Sequence, residues 1–212
     1  MPALMHLSSP DVTPASPAEG PVMVLLHGYG SNERDLPGLT PHLPALPWVS
    51  VRAPLPMPGG GAAWFPLDLP GEPSQDAIED ATVALWDWVD QALPAGTLLV
   101  PIGFSQGGLM ALQLLRTRPE RIAATAVLAG LVTDAVQPAD GLLGDSRPPL
   151  FWGRGLQDPV IWPDAIARLD ALVPRISTPT IRTYAGLGHG VNAAMLGDLN
   201  AFLVDALDAD AG

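Results

Sequence analysis

The stretch Gly103-Phe104-Ser105-Gln106-Gly107-Gly108 sets a serine hydroxyl in a glycine-dense turn. An apolar run at 97–102 precedes it and a leucine-rich amphipathic segment at 109–115 follows, so the turn joins a buried strand to a helix. This is the G-x-S-x-G arrangement of a nucleophile elbow, in which a tight turn lifts the hydroxyl beside the positive end of the new helix. A serine hydroxyl alone is a poor nucleophile at neutral pH, and the base best matched to take its proton is histidine. Of the histidines at 6, 27, 42 and 189, only His189 follows Ser105. In Ser-acid-His sites on parallel α/β sheets the histidine comes last, so His189 is the candidate base.

A carboxylate must then hold the imidazole tautomer and stabilise the imidazolium. Between Ser105 and His189 stand Glu120, Asp134, Asp140, Asp145, Asp158, Asp164 and Asp170. Asp158 follows a predicted strand at 150–153 and precedes Pro159 and a predicted helix, which is where a sheet-end acid is needed. Asp164 and Asp170 fall inside that helix, and Asp134, Asp140 and Asp145 fall in a polar excursion at 132–149. The competing readings are a helix cap for Asp158 and a structural histidine for His189.

Acyl transfer also needs donors aimed at a developing oxyanion. The elbow offers the backbone N–H of Gln106. The turn His27-Gly28-Tyr29-Gly30, after an apolar run at 21–26, offers that of Tyr29. Trp64 and Phe65, in a loop opened by Gly59-Gly60-Gly61, are candidates to line an acyl pocket, with plain loop packing as the alternative.

Positioning these groups takes a series of alternating elements. Expected strands lie at 21–26, 48–53, 97–102, 150–153 and 180–185, with a short strand inside 3–7. The run 122–131 has strand character, although its four alanines leave a helix open. Expected helices begin near Ser31 or Asn32 and cover 75–93, the segment after the elbow, 160–173 and 191–207. In 75–93, Ile78, Ala81, Thr82, Leu85, Trp88, Val89 and Ala92 fall on one side, and Asp76, Glu79, Asp80, Asp87 and Asp90 form a solvated face. Pro101 conflicts with a central strand because it removes a ladder donor, so a local irregularity is expected there. The alternation argues an α/β fold with a mainly parallel sheet and helices on both faces.

The composition narrows the classes further. The 212 residues, 48% hydrophobic and 15% charged, suit one domain over 1–212, with 1–20 as a short strand and proline-rich loop. A net charge of -12, with all ten cations arginine, argues against nucleic acid and against stable association with anionic membrane. No positive n-region and no long apolar stretch is present, so the expected location is cytoplasmic. The chain has no cysteine, which excludes thiolate catalysis and disulfides. No H-E-x-x-H or comparable metal spacing appears, so no metal and no cofactor is expected.

Four separated motifs together resemble the phospholipase/carboxylesterase family, which includes bacterial carboxylesterases and acyl-protein thioesterases. They are Leu26-His27-Gly28-Tyr29-Gly30; Arg52-Ala53-Pro54 followed by Trp64-Phe65; the Ser105 elbow; and Gly155-Leu156-Gln157-Asp158-Pro159-Val160 with Gly188-His189-Gly190. The resemblance implies an α/β-hydrolase fold without a large cap, a Ser105-Asp158-His189 triad, an oxyanion hole at Tyr29 and Gln106, and acyl binding near Trp64-Phe65. Family thioesterases commonly carry leucine where Tyr29 stands and an early strand hairpin that this chain lacks. The expected reaction is hydrolysis of short-to-medium esters of small molecules by a monomer or homodimer. A lysophospholipase or acyl-thioesterase with the same triad is the alternative. A non-catalytic binding module would have no need of nucleophile, acid, base and oxyanion loop together.

Overall fold

The apolar runs that lack alternation in the sequence become strands covered on both faces. The computed structural model describes residues 4–12, 20–67 and 73–208. In chain order the strands are β1 (His6–Ser8), β2 (Val22–Leu26), β3 (Trp48–Val51), β4 (Leu55–Pro56), β5 (Ala62–Ala63), β6 (Leu99–Phe104), β7 (Thr125–Leu128), β8 (Pro149–Gly155) and β9 (Thr178–Tyr184). The α-helices are α1 (Gln75–Ala92), α2 (Gln106–Thr117), α3 (Asp140–Ser146), α4 (Pro163–Ile176) and α5 (Ala193–Asp208). Seven strands form one sheet in the order β1-β3-β2-β6-β7-β8-β9. All its neighbours are parallel except β1, which runs antiparallel to β3. This is the α/β-hydrolase fold, and no separate cap covers the described residues.

Alternate residues of each central strand enter opposite cores. Val22, Val24, Leu26, Val127, Leu150 and Trp152 pack with α1, α2 and α4, whereas Met23, Leu25, Val100, Ile102, Leu128 and Phe151 pack with α5. Burial on both faces explains why the strands read as continuous apolar runs. Helix α2 is buried along almost its whole length, which its leucines and small residues permit.

Pro101 sits where the sheet can spare a donor. Leu99 O accepts from Ala123 N–H and Ser105 N–H donates to Leu128 O, so odd-numbered positions of this strand face β7. The β6–β7 ladder begins only at Ile102, after a lone bridge between Leu99 and Ile122. The missing N–H of Pro101 therefore points into a gap in the ladder, the irregularity expected at this residue.

Several local expectations are corrected. The helix expected from Ser31 or Asn32 is a 3-10 turn over Leu36–His42, because Pro37, Gly38 and Pro41 prevent a continuous α-helix. The excursion 132–149 contains α3, whose Leu143 is fully buried. The run 122–131 is strand only over Thr125–Leu128, and β3 stops at Val51. The expected loop at 54–74 contains the β4–β5 hairpin, and its part at 68–72 lies outside the described residues. No helix among the described residues is long and apolar enough to cross a membrane.

The order of the strands locates the site. From β2 the chain passes to β3 on one side and then, through α1, to β6 on the other, so the crevice at the carboxyl ends of β2 and β6 is a topological switch point. Both candidate oxyanion segments leave from those two ends.

Candidate active site

Ser105 occupies the elbow with φ 55° and ψ -116°, a backbone state that side-chain-bearing residues avoid. The turn is held by Ser105 N–H on Leu128 O at 2.9 Å and by the start of α2 beneath it. A Cβ at Gly107 would stand 1.9 Å from Leu26 O, so only glycine lets α2 approach the end of β2. The result is a hydroxyl at the sheet end with its residue only 9% exposed.

The histidine and the acid arrive on two loops that are joined to each other. Gln157 N–H donates to Leu187 O at 2.9 Å and Leu156 N–H to Tyr184 O at 3.0 Å. A Cβ at Gly155 would lie 2.1 Å from Leu187 O, so this contact too requires glycine. Within this frame His189 Nδ1 lies 2.7 Å from Asp158 Oδ2, and His189 Nε2 lies 2.9 Å from Ser105 Oγ. A carboxylate can only accept, so the proton of the neutral ring sits on Nδ1 and Nε2 is free to accept from the serine. The His189 side chain is 17% exposed and that of Asp158 only 3%. The ring of Phe104 packs against the imidazole with centroids 4.9 Å apart. Asp158 does not cap α4, which starts after Trp162; its Oδ1 instead accepts the N–H groups of Val160 and Ile161 in the turn before that helix.

The turn after β2 faces the serine. A Cβ placed on Gly28 would stand 3.5 Å from that of Ser105. Neither Tyr29 N–H nor Gln106 N–H is engaged by an acceptor among the described residues. The Tyr29 side chain is 43% exposed. Trp64 and Phe65, expected along an acyl pocket, are instead enclosed at 1% and 0% exposure. Their rings belong to the core beside α1 and α2, which removes them from direct contact with a ligand in this structure. Leu156 and Val160, two positions before and two after Asp158, are exposed apolar side chains.

Two residues matter here that sequence reasoning gave no such part. His27 is completely buried, with Nδ1 2.8 Å from Gly28 O and Nε2 accepting Ala53 N–H at 3.1 Å. Since Nε2 accepts, Nδ1 carries the proton, and burial lowers the pKa of the ring and keeps it neutral. Arg52 donates to Glu33, Gly60 O and Gly61 O, fixing the loop that leads to Trp64. The position of His27 at the mouth of a strand was the available signal for the first. Among the described residues no group of three His, Asp or Glu side chains is placed to hold a metal ion.

With this geometry in view, comparison with known proteins is direct. The chain matches the phospholipase/carboxylesterase family over residues 7–206. It belongs to that family. A probable carboxylesterase of Oryza sativa subsp. japonica is 25% identical over 158 residues, covering 69% of this chain and 59% of that protein. The chain spans 34% and 59% of the lengths of the two curated relatives it matches. The Bacillus cereus carboxylesterase superposes with a TM-score of 0.80 at 22% identity, over 96% of this chain and 94% of that one. Esterase PE8 superposes at 0.74 with 27% identity, over 97% and 100%. Among phospholipase/carboxylesterase structures, then, likeness at the level of fold extends over nearly the whole chain.

Proposed function

We propose that this protein is a serine carboxylesterase acting on short-to-medium-chain esters through an acyl-enzyme. The reading rests above all on the continuous line Asp158–His189–Ser105, with contacts of 2.7 and 2.9 Å. His189 Nε2 takes the hydroxyl proton as Ser105 Oγ attacks the ester carbonyl carbon. The carbonyl π pair moves onto oxygen, and the Tyr29 and Gln106 N–H groups stabilise that oxyanion. Collapse breaks the bond to the alcohol, which leaves with the proton from His189. A water molecule, deprotonated by the same nitrogen, then attacks the acyl-serine, and the acid departs as Ser105 recovers its proton. Asp158 stays ionised throughout and stabilises the imidazolium.

Support for an apolar acyl or alcohol group comes from Leu156 and Val160, exposed at 56% and 49% on the loop that carries Asp158, and from the exposed Tyr29 on the turn after β2. The test is a series of p-nitrophenyl esters of rising chain length, with Ser105→Ala as the blank. The expected optimum is about two to six carbons, set by how much chain an open rim can cover. Ser105→Ala should fold and lose at least about 1,000-fold in kcat/KM. Normal turnover by that variant would overturn the assignment of the serine. A clear preference for long acyl chains, or for thioesters, would replace the small-ester reading with the lysophospholipase or thioesterase one.

A further inference from the structure

We infer that the Gln106 side chain is a positioning residue that locks both oxyanion donors into one rigid unit; this rests on the proposed ester hydrolysis. The two donors come from different segments, Tyr29 after β2 and Gln106 at the start of α2. Their spacing must be kept to a fraction of an ångström for the oxyanion to be stabilised. Backbone pairing does not link them directly.

The Tyr29 segment is carried by the chain around Ala62. Gly30 N–H donates to Ala62 O at 2.9 Å, and Ala62 N–H donates to Ser31 O at 2.7 Å. That carrier is itself weakly held by the sheet system, since β5 pairs only with the two-residue β4. An isolated hairpin of that size is not stable alone. Arg52 holds it on the Gly60–Gly61 side, and the amide of Gln106 holds it on the side nearest α2. The chain bends at Trp64–Phe65 and turns two main-chain groups toward α2. Oε1 of Gln106 accepts Trp64 N–H at 2.9 Å and Nε2 donates to Phe65 O at 2.8 Å. The Trp64 indole closes the circuit by donating from Nε1 to His27 O at 2.9 Å, at the root of the Tyr29 turn.

One residue thus supplies one donor through its backbone and fixes the other through its side chain. Gln106 is 1% exposed and its two partners are enclosed, so water is poorly placed to replace the amide. The enclosed rings of Trp64 and Phe65 acquire a role as well. They anchor the segment on which the oxyanion turn rides.

Gln106→Met keeps the length of the side chain and the backbone N–H but removes both amide contacts. Active sites are counted by stoichiometric fluorophosphonate labelling, so an unfolded fraction does not count as slow enzyme. Per titrated site, kcat for p-nitrophenyl butyrate should fall about 10- to 100-fold with KM within about threefold, because the loss falls on the transition state. Inhibition by an alkyl trifluoromethyl ketone, whose adduct carries the same oxyanion, should weaken by a similar factor, while the pH profile of kcat/KM keeps the parent's shape. A titrated Gln106→Met enzyme with kcat within about twofold of the parent, or with unchanged ketone affinity, overturns the inference. If that variant does not fold, Trp64→Phe keeps a ring in the core and breaks only the indole bond to His27. It should lose about 3- to 10-fold in kcat with KM preserved, and an unchanged kcat would equally overturn the circuit. The Ser105→Ala assay separates the two levels, since an active Ser105→Ala enzyme removes the hydrolase reading itself.

Discussion

His27 works as an uncharged brace. Both ring nitrogens are engaged, Nδ1–H on Gly28 O and Nε2 under Ala53 N–H, so a second proton would eject the Ala53 contact. Burial is the main reason its pKa lies below the ordinary value of 6.5. Between that lowered value and about 6.5 the unfolded chain binds a proton that the folded chain refuses, so stability rises with pH through this window. Its contribution is complete above about pH 6.5 and is lost as pH falls below it, at up to about 1.4 kcal/mol per pH unit. Urea midpoints taken from pH 8 down to pH 5 should show this slope in the parent and a shallower one in His27→Gln. Equal slopes in the two proteins would assign the acid sensitivity to other groups. At this scale the sequence singled out His189 by elimination, because only one histidine follows the serine. It could not expose the part played by His27 or the amide of Gln106, since both depend on partners 26 and 41 or 42 positions away that no local pattern announces.

Helix α3 is tied to α2 by one buried ion pair. Arg116 Nε and Nη2 reach Asp140 Oδ1 and Oδ2 at 2.8 and 2.7 Å, and Arg116 is 3% exposed. Burial on its own would raise the Asp140 carboxyl. The Arg116 hydrogen bonds and the N–H of Gln137 outweigh it and hold the group below the usual carboxylate range. Removing Arg116 leaves a part-buried carboxylate without its partner, so Arg116→Met should cost about 1–3 kcal/mol in urea unfolding. The double variant Arg116→Met/Asp140→Leu should recover most of that loss, and a double variant no better than the single would show that the pair does not act as a unit. This anchoring is also why α3 was not legible. Its seven residues are too short for periodicity to speak, and its place is fixed by an arginine 24 positions earlier in the chain. Where an element carries its own reason, the sequence reading holds, as in the 18-residue α1 with its apolar stripe and the Ser74 cap. The strands were legible because burial on both faces leaves an unbroken apolar run. The capping residues near Asn32 suggest an α-helix, but the prolines at 37 and 41 permit only a 3-10 turn.

Across the whole molecule Ser105, Asp158 and His189 follow three strand ends of one mainly parallel sheet, in a chain of net charge -12. A surface of one sign repels like-charged ligands over distances set by the ionic strength, with a screening length of about 20 Å near 20 mM salt and about 7 Å near 200 mM. For the proposed ester hydrolysis, the consequence concerns which esters reach Ser105, not how they react once there. A neutral ester such as p-nitrophenyl butyrate should show kcat/KM unchanged between those salt concentrations. Its anionic counterpart of similar length, the p-nitrophenyl monoester of succinic acid, should gain about two- to fivefold in kcat/KM as salt screens the surface. The gain should appear in KM with kcat constant, because salt relieves depletion of the substrate around the protein and leaves the proposed oxyanion hole untouched. A flat salt response for both esters would mean that the acids are spread too evenly to create a field at the site. A fall with salt for the succinate ester would mean that the local potential at the crevice is positive, and would point to an arginine near the strand ends as a carboxylate partner.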